Sequence, residues 1–286
     1  MSSAKLDFLK KHSEDGFYKL RVEPWQKAKQ HFVKTYLQAN FSRTDLRNKN
    51  KIFIDVGCGP GYLEDGQQDE VIIGSPLMAL SLENDVHRYI FVDKDPLAMS
   101  ALNVRIKKFF PKKNVLLLEG DINQVIETLP HYLPPKQDKQ LNAPLALIDT
   151  YSFDVHFDTI SWLSEMNVDL LLINAFPHSD IYTYDFYLDE QRELLNDFFG
   201  FPWARIGELN EIKNDTMFFT LAMKAYTQQL KTLGYNVATS LQKYSPAPGG
   251  SPYYKIAYCS KSRLFNSVSK EATKSSFQQT DLFRTS

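Results

Sequence analysis

Three glycines at alternate positions follow an acid at the end of an apolar run, in Lys51-Ile-Phe-Ile-Asp55-Val-Gly57-Cys-Gly59-Pro-Gly61. Glycines at this spacing let the backbone pass close to a ligand where a strand hands over to a helix, the usual seat of a nucleotide. The dinucleotide fingerprint needs a sixth-position glycine counted from Gly57, and the chain has Tyr62 there, which argues against a bound pyrophosphate. What remains is an acid followed by Gly57, Gly59 and Gly61, in which Asp55 can hold a cationic or amino-bearing group.

Two further acids close the next two apolar runs. Tyr89-Ile-Phe-Val-Asp93 ends in a carboxylate that can accept both hydroxyls of a ribose. The following Asp95-Pro96 reads as a helix N-cap with proline at N1, which leaves Asp93 for the ligand. In Glu119-Gly-Asp121-Ile122, Asp121 can take an adenine amino group while Ile122 covers the ring, although Asp121 is also a fair N-cap. An amino acid joined to an adenosine would engage all three acids, so the expected cofactor is S-adenosylmethionine. The fourth run ends in Asp149-Thr150-Tyr151-Ser152, at the strand end that faces a departing methyl group. Asp149 is the candidate catalytic residue, and transfer is expected to rest on holding donor and acceptor in line. The Asp/Asn-Pro-Pro-Tyr/Phe motif of amino-group methyltransferases is absent.

Other chemistry-bearing residues read structurally. His156 and His178 have no second ligand at metal spacing, so no metal is expected. Cys58 lies inside the glycine turn with no histidine near it in sequence. Tyr182, Tyr184, Phe186, Tyr187, Phe198, Phe199, Phe201 and Trp203 are dense enough to be the core of a helical insert rather than a base-stacking platform.

The elements that must position these residues follow from the spacing of apolar positions. Apolar runs at 51–55, 89–92, 115–118, 145–148 and 168–173 alternate with helical segments at 76–83, 96–109, 122–129 and 158–165. A helix from Ala225 ends at a C′ glycine, Gly234, and two last strands at 235–241 and 253–258 can be neighbours only as an antiparallel hairpin. The expected fold is therefore α/β, a doubly wound, mostly parallel seven-stranded sheet of class I methyltransferase type. Residues 1–50 are expected to form an N-terminal helical extension, with Trp25, Phe32, Val33, Tyr36 and Leu37 on one face. A Rossmann domain is expected over 51–268 with a helical insert at about 178–224, followed by a polar, flexible tail over 269–286.

Bulk properties narrow the function classes. Lys+Arg number 33 against 34 Asp+Glu, a formal net charge of -1 that gives no global field to draw in nucleic acid or an anionic membrane. The two cysteines, Cys58 and Cys259, make no CxxC pair, which fits a reducing cytoplasm. No signal-peptide core and no membrane-length apolar run is present, so a cytoplasmic protein is expected.

Beyond the general order of elements, several segments resemble the three-Cys-motif partner proteins, a group of class I methyltransferase-like proteins. They are Trp25 with Lys27 and the helix to Tyr36, the long loop from Gly61 to Gly74-Ser-Pro-Leu77, Phe91-Val-Asp-Lys-Asp-Pro96, and Glu119-Gly-Asp121. Val168-Asp-Leu-Leu-Leu-Ile-Asn and Pro252-Tyr-Tyr-Lys-Ile-Ala-Tyr-Cys-Ser-Lys-Ser-Arg-Leu264 extend the resemblance over most of residues 20–270. The family's fourth motif usually runs Asp-Pro-Phe-Gly, where this chain has Asp149-Thr-Tyr-Ser. The resemblance implies a methyltransferase-like protein that works with a radical-type protein bearing three cysteines, in phage-related or mobile gene neighbourhoods, on an undetermined substrate; the first reading here is methyl transfer to a large or nucleic-acid-linked acceptor. The alternative reading is a catalytically inactive methyltransferase fold that binds a partner. A nicotinamide-dependent oxidoreductase would share the sheet but needs the glycine that Tyr62 replaces.

Overall fold

The computed structural model describes residues 3–82, 86–133, 142–149, 153–176, 183–205, 212–242, 253–266 and 268–270. In chain order the elements are α1 (Ser3–Lys11), β1 (Leu20–Val22), α2 (Trp25–Phe41), β2 (Asn50–Val56), β3 (Tyr62–Asp65), β4 (Val71–Ile73), α3 (Ser75–Ser81), β5 (Val86–Asp93), α4 (Pro96–Phe109) and β6 (Val115–Glu119). There follow α5 (Ile122–Val125), β7 (Asn142–Ile148), α6 (Phe157–Glu165), β8 (Asp169–Phe176), α7 (Tyr184–Asp189), α8 (Arg192–Phe199), α9 (Asp215–Thr232), β9 (Asn236–Gln242) and β10 (Tyr253–Ser260). Seven strands form one sheet in the order β6-β5-β2-β7-β8-β10-β9. β2, β5 and β6 run parallel, while β10 is antiparallel to both β8 and β9, as the closing hairpin requires. The fold is the mixed α/β sheet expected, with all seven anticipated strands in it.

The chain divides into two compact units, residues 1–147 with 263–286, and 148–262. In the first, Phe53 and Ile54 of β2 and Tyr89, Ile90 and Phe91 of β5 are fully buried. Strands covered on both faces show such continuous apolar runs instead of alternation. Phe32, Val33, Tyr36 and Leu37 of α2 are buried as their spacing predicts, while the side chain of Trp25 lies outside the described residues. The stretch 61–74, which reads from the resemblance as a long loop, instead holds β3 and β4 and completes a second, three-stranded sheet in the order β1-β3-β4. Tyr62, Leu63, Ile72 and Ile73 supply the strand-forming residues. Val22, Leu63 and Ile72 bury one another. Asp65 turns the chain between β3 and β4 by accepting from the N–H groups of Gln67 and Gln68 at 2.9 and 3.2 Å.

The second unit carries the aromatic core. Phe153, Tyr187, Phe198, Phe199, Trp203 and Phe218 are buried together, with Phe198 stacked on Tyr226 at 4.2 Å and Tyr187 on Phe218 at 5.8 Å. Their density in the sequence is thus a packing signal; Tyr182 lies outside the described residues. α9 ends with Gly234 at φ 86°, its N–H bonded to the Lys231 carbonyl and that of Tyr235 to Leu230, the double bond pattern a left-handed C′ glycine permits. Of the tail expected over 269–286, residues 269 and 270 are helical and 271–286 lie outside the described residues. No helix among the described residues is long and apolar enough to cross a membrane. Phe198→Ala should cost about 3 kcal/mol through the cavity it leaves, and urea unfolding followed by tryptophan fluorescence measures it.

Candidate functional site

The glycine turn sits between β2 and the end of β5. Asp55 on β2 is fully buried. The N–H groups of Gly57 and Cys58 both donate to the Val92 carbonyl, at 2.9 and 3.2 Å, which ties the turn to the neighbouring strand. Gly57, Gly59 and Gly61 have φ of 73°, 64° and 90°, the left-handed region in which a side chain is strained. Two of them serve different ends. A Cβ on Gly61 would lie 2.8 Å from Leu77 Cγ, so this glycine lets α3 pack against the turn. A Cβ on Gly59 would meet nothing within 4 Å, so the backbone there faces open space that a ligand can enter.

Asp93, at the end of β5, organises that space. Its Oδ2 accepts from the Gly59 N–H at 2.7 Å and its Oδ1 from the Asp95 N–H at 3.0 Å. Asp95 in turn caps α4 by accepting from the Leu97 N–H, with Pro96 at N1, as the sequence predicts. Asp93 is therefore engaged with the turn itself, and its two oxygens keep further lone pairs for a ligand hydroxyl. The Asp93 carbonyl accepts from Gly120 N–H at 2.9 Å, which sets Asp121 beside it. Asp121 caps α5 through the Asn123 N–H at 2.8 Å, and Ile122 is buried. Its capping role is thus realised, and an adenine amino group would share the same carboxylate. These bonds join the Asp55 strand, the three glycines, Asp93 and Asp121 within the first unit. Asp149 directly follows β7, is half-buried and belongs to the second unit. Thr150, Tyr151 and Ser152 lie outside the described residues.

Cys58 is buried with its Sγ 3.9 Å from Met99 Sδ. Burial, followed by the charges of Asp55 and Asp93, pushes its thiol well above the ordinary range, so no thiolate nucleophile forms. His156 stands 3.9 Å from Asp197, and His178 lies outside the described residues. No group of three or more potential metal ligands occurs among the described residues.

A second feature of the site was not anticipated. Arg105 on α4 is completely buried and spends all five of its N–H donors. Two go to the Asp15 carboxylate at 2.8 and 2.9 Å, and three to the carbonyls of Pro60, Tyr18 and Phe17 at 2.7, 2.9 and 3.3 Å. One guanidinium thus clamps the segment after α1 to the glycine turn. Beneath it lies the ring of Tyr62, 4.7 Å away, whose hydroxyl donates to the Leu9 carbonyl at 2.8 Å. Burial, only partly offset by the Arg105 charge, raises the Tyr62 phenol to about 12. Tyr18, whose carbonyl Arg105 holds, keeps an exposed ring. Partial burial, then the charges of Asp95 and Asp93, raises its pKa. The one available signal was positional: Arg105 shares the buried face of α4 with Ala98, Ala101 and Leu102.

No family model matches the chain, and no curated protein matches it. Among solved structures it is similar to protein LPL1258 from Legionella pneumophila, assigned to the family model DUF519. The identity is 11%, the match covers 87% of this chain and 91% of that one, and the TM-score is 0.51. This likeness is one of fold. The chain is also similar to an O-methyltransferase from Bacillus cereus in complex with SAH, at 10% identity over 91% of this chain and 92% of that one, with a TM-score of 0.47. A third similar structure is the O-methyltransferase TomG from Streptomyces achromogenes in complex with SAM, at 12% identity over 91% of each chain and a TM-score of 0.44.

The clamp has a measurable pH signature. Burial acts to raise the Asp15 pKa, but the Arg105 hydrogen bonds, the Phe17 N–H and the charges of Arg105 and Lys19 outweigh it and lower the value. A carboxylate with a lowered folded-state pKa contributes stability above its unfolded pKa and loses it as the pH falls through the folded one. Asp15→Ala should cost about 3 kcal/mol near neutrality by stranding the buried Arg105 charge. In urea titrations the gap between wild type and variant should close as the pH drops below about 4.

Proposed function

We propose that the turn and its surrounding acids bind S-adenosylmethionine and that the protein is a methyltransferase of the class I type. The observation that carries this is the Asp93 carboxylate holding the Gly59 N–H at 2.7 Å at the edge of the open space above that glycine. In this reading Gly57, Gly59 and Gly61 receive the methionine end, with the buried Asp55 acting on its amino group through its charge from beneath the turn, Asp93 accepts the ribose hydroxyls, and Asp121 with Ile122 takes the adenine. When bound, S-adenosylmethionine supplies an electrophilic methyl group. The protein's share is orientation: fixed carboxylates and backbone donors hold the donor end in place without reorganisation. Asp149 is proposed on the acceptor side. The closing antiparallel strand β10 beside β8 supports the class I assignment.

The finer assignment is to the three-Cys-motif partner group, with a cytoplasmic setting, a three-cysteine protein as working partner and a nucleic-acid-linked methyl acceptor. The sequence segments that resemble that group support it. A partner-binding, catalytically silent role is the second reading, favoured by Asp149-Thr-Tyr-Ser in place of Asp-Pro-Phe-Gly.

Calorimetry with S-adenosylhomocysteine tests the cofactor. Wild type should bind, and Asp93→Ala should bind at least about tenfold more weakly through loss of the ribose hydrogen bonds. A well-folded wild type with no heat of binding, or an Asp93→Ala variant with unchanged affinity, would remove the proposal. Binding without methyl transfer to any cellular fraction would favour the silent role.

A further inference from the structure

A cavity of about 720 Å³ opens at the end of the sheet where its strands begin, lined among others by Arg43, Arg47, Lys49, Lys51, His87 and Lys113. These residues are remote in sequence and are brought together by topology. Arg43, Arg47 and Lys49 lie in the connection from α2 to β2, Lys51 is the second residue of β2, His87 the second of β5, and Lys113 precedes β6. Because β6, β5 and β2 are parallel neighbours, their starting ends converge on one face. The glycine turn sits at the other end of β2, seven residues long and therefore about 20 Å away.

The cavity is cationic out of proportion to the chain. Five Lys and Arg side chains line it, no carboxylate does so among the described residues, and the whole chain carries a net charge of -1. The nearest acid in the lining segment, Asp45, is taken by Arg43 in a two-point contact at 3.1 and 2.8 Å, and that hydrogen bonding lowers its pKa. Lys51 is held by the Phe41 carbonyl at 2.9 Å, at the negative end of α2. His87 Nδ1 accepts from the Lys51 N–H at 3.2 Å, which leaves its Nε2 as a donor. Arg47 is exposed and its guanidinium has no hydrogen bond or ion pair among the described residues. Ser42 and Thr44 add exposed hydroxyls to the rim.

Like charges lining one cavity repel one another, and an anion that bridges them relieves the repulsion. Guanidinium groups meet phosphate oxygens in paired hydrogen bonds, with ammonium and hydroxyl donors beside them. The volume lies in the range of nucleotide-sized ligands. We infer that this cavity binds clustered phosphates, those of an oligonucleotide or of a nucleoside polyphosphate. The site is separate from the glycine turn, and the inference does not depend on the cofactor bound there.

Fluorescence anisotropy of a fluorescein-labelled single-stranded RNA, with the full chain at low salt, tests it. Wild type should bind, and Arg47→Glu combined with Lys49→Glu should weaken binding about tenfold or more and flatten its salt dependence. Arg47 is exposed and Lys49 half-buried, and circular dichroism checks that the variant is folded. Lys107→Glu with Lys108→Glu, the same change of net charge in the last turn of α4 outside the cavity lining, should weaken binding clearly less. Displacement of the RNA by ATP marks a nucleoside polyphosphate as able to occupy the cavity, and resistance to ATP marks the oligonucleotide. Absence of binding by both RNA and ATP, or equal weakening by the two double variants, overturns the inference.

Discussion

A positive charge cut off from water, the guanidinium of Arg105, is the constraint on which the candidate site depends. Burying an unpaired charge is costly enough that the fold must surround it with acceptors. Here those acceptors come from Asp15 and from the carbonyls of Phe17, Tyr18 and Pro60. Pro60 lies inside the glycine turn, so satisfying one side chain on α4 also fixes the turn and the segment that precedes β1. The rigidity needed to present backbone groups to a ligand therefore derives from an electrostatic requirement rather than from the glycines, which by themselves only permit the turn.

Asp93 extends the same logic towards the ligand. Its carboxylate joins Gly59 to the start of α4, and its carbonyl joins the end of β5 to Gly120. The turn, the helix it leads to and the next strand end are thus coupled through one residue. A ribose placed on Asp93 would meet a carboxylate already oriented by two backbone donors, which lowers the ordering required on binding.

Much of this was legible in the sequence, for local reasons. Asp95-Pro96 marked the start of α4, Gly234 the end of α9, and the loop before Tyr253 required an antiparallel hairpin. Each signal lies within a few residues of the feature it predicts. The second sheet escaped notice because β1 and β4 have three residues each and β1 pairs with a strand some forty residues away, too short and too distant for a periodic pattern. Asp15 and Arg105 are 90 residues apart, and nothing local in either segment names the other. The cationic cavity was hidden by averaging: a net charge of -1 says nothing of cations gathered from three strand ends. Asp121 shows the converse, since the sequence offered a cap and a ligand role and the structure displays the cap.

The sheet so described has two ends with different chemistry, acids and open backbone where β2 and β5 finish and cations where they start. The claim on which the functional account turns is that the acid end holds an adenosine through Asp93. A crystal structure of the chain grown with S-adenosylhomocysteine tests this most directly. Both ribose hydroxyls should lie within hydrogen-bond distance of the Asp93 carboxylate, with the ligand's amino-acid end over Gly59. A ligand seated elsewhere on the protein, or a ribose with no contact to Asp93, would contradict it.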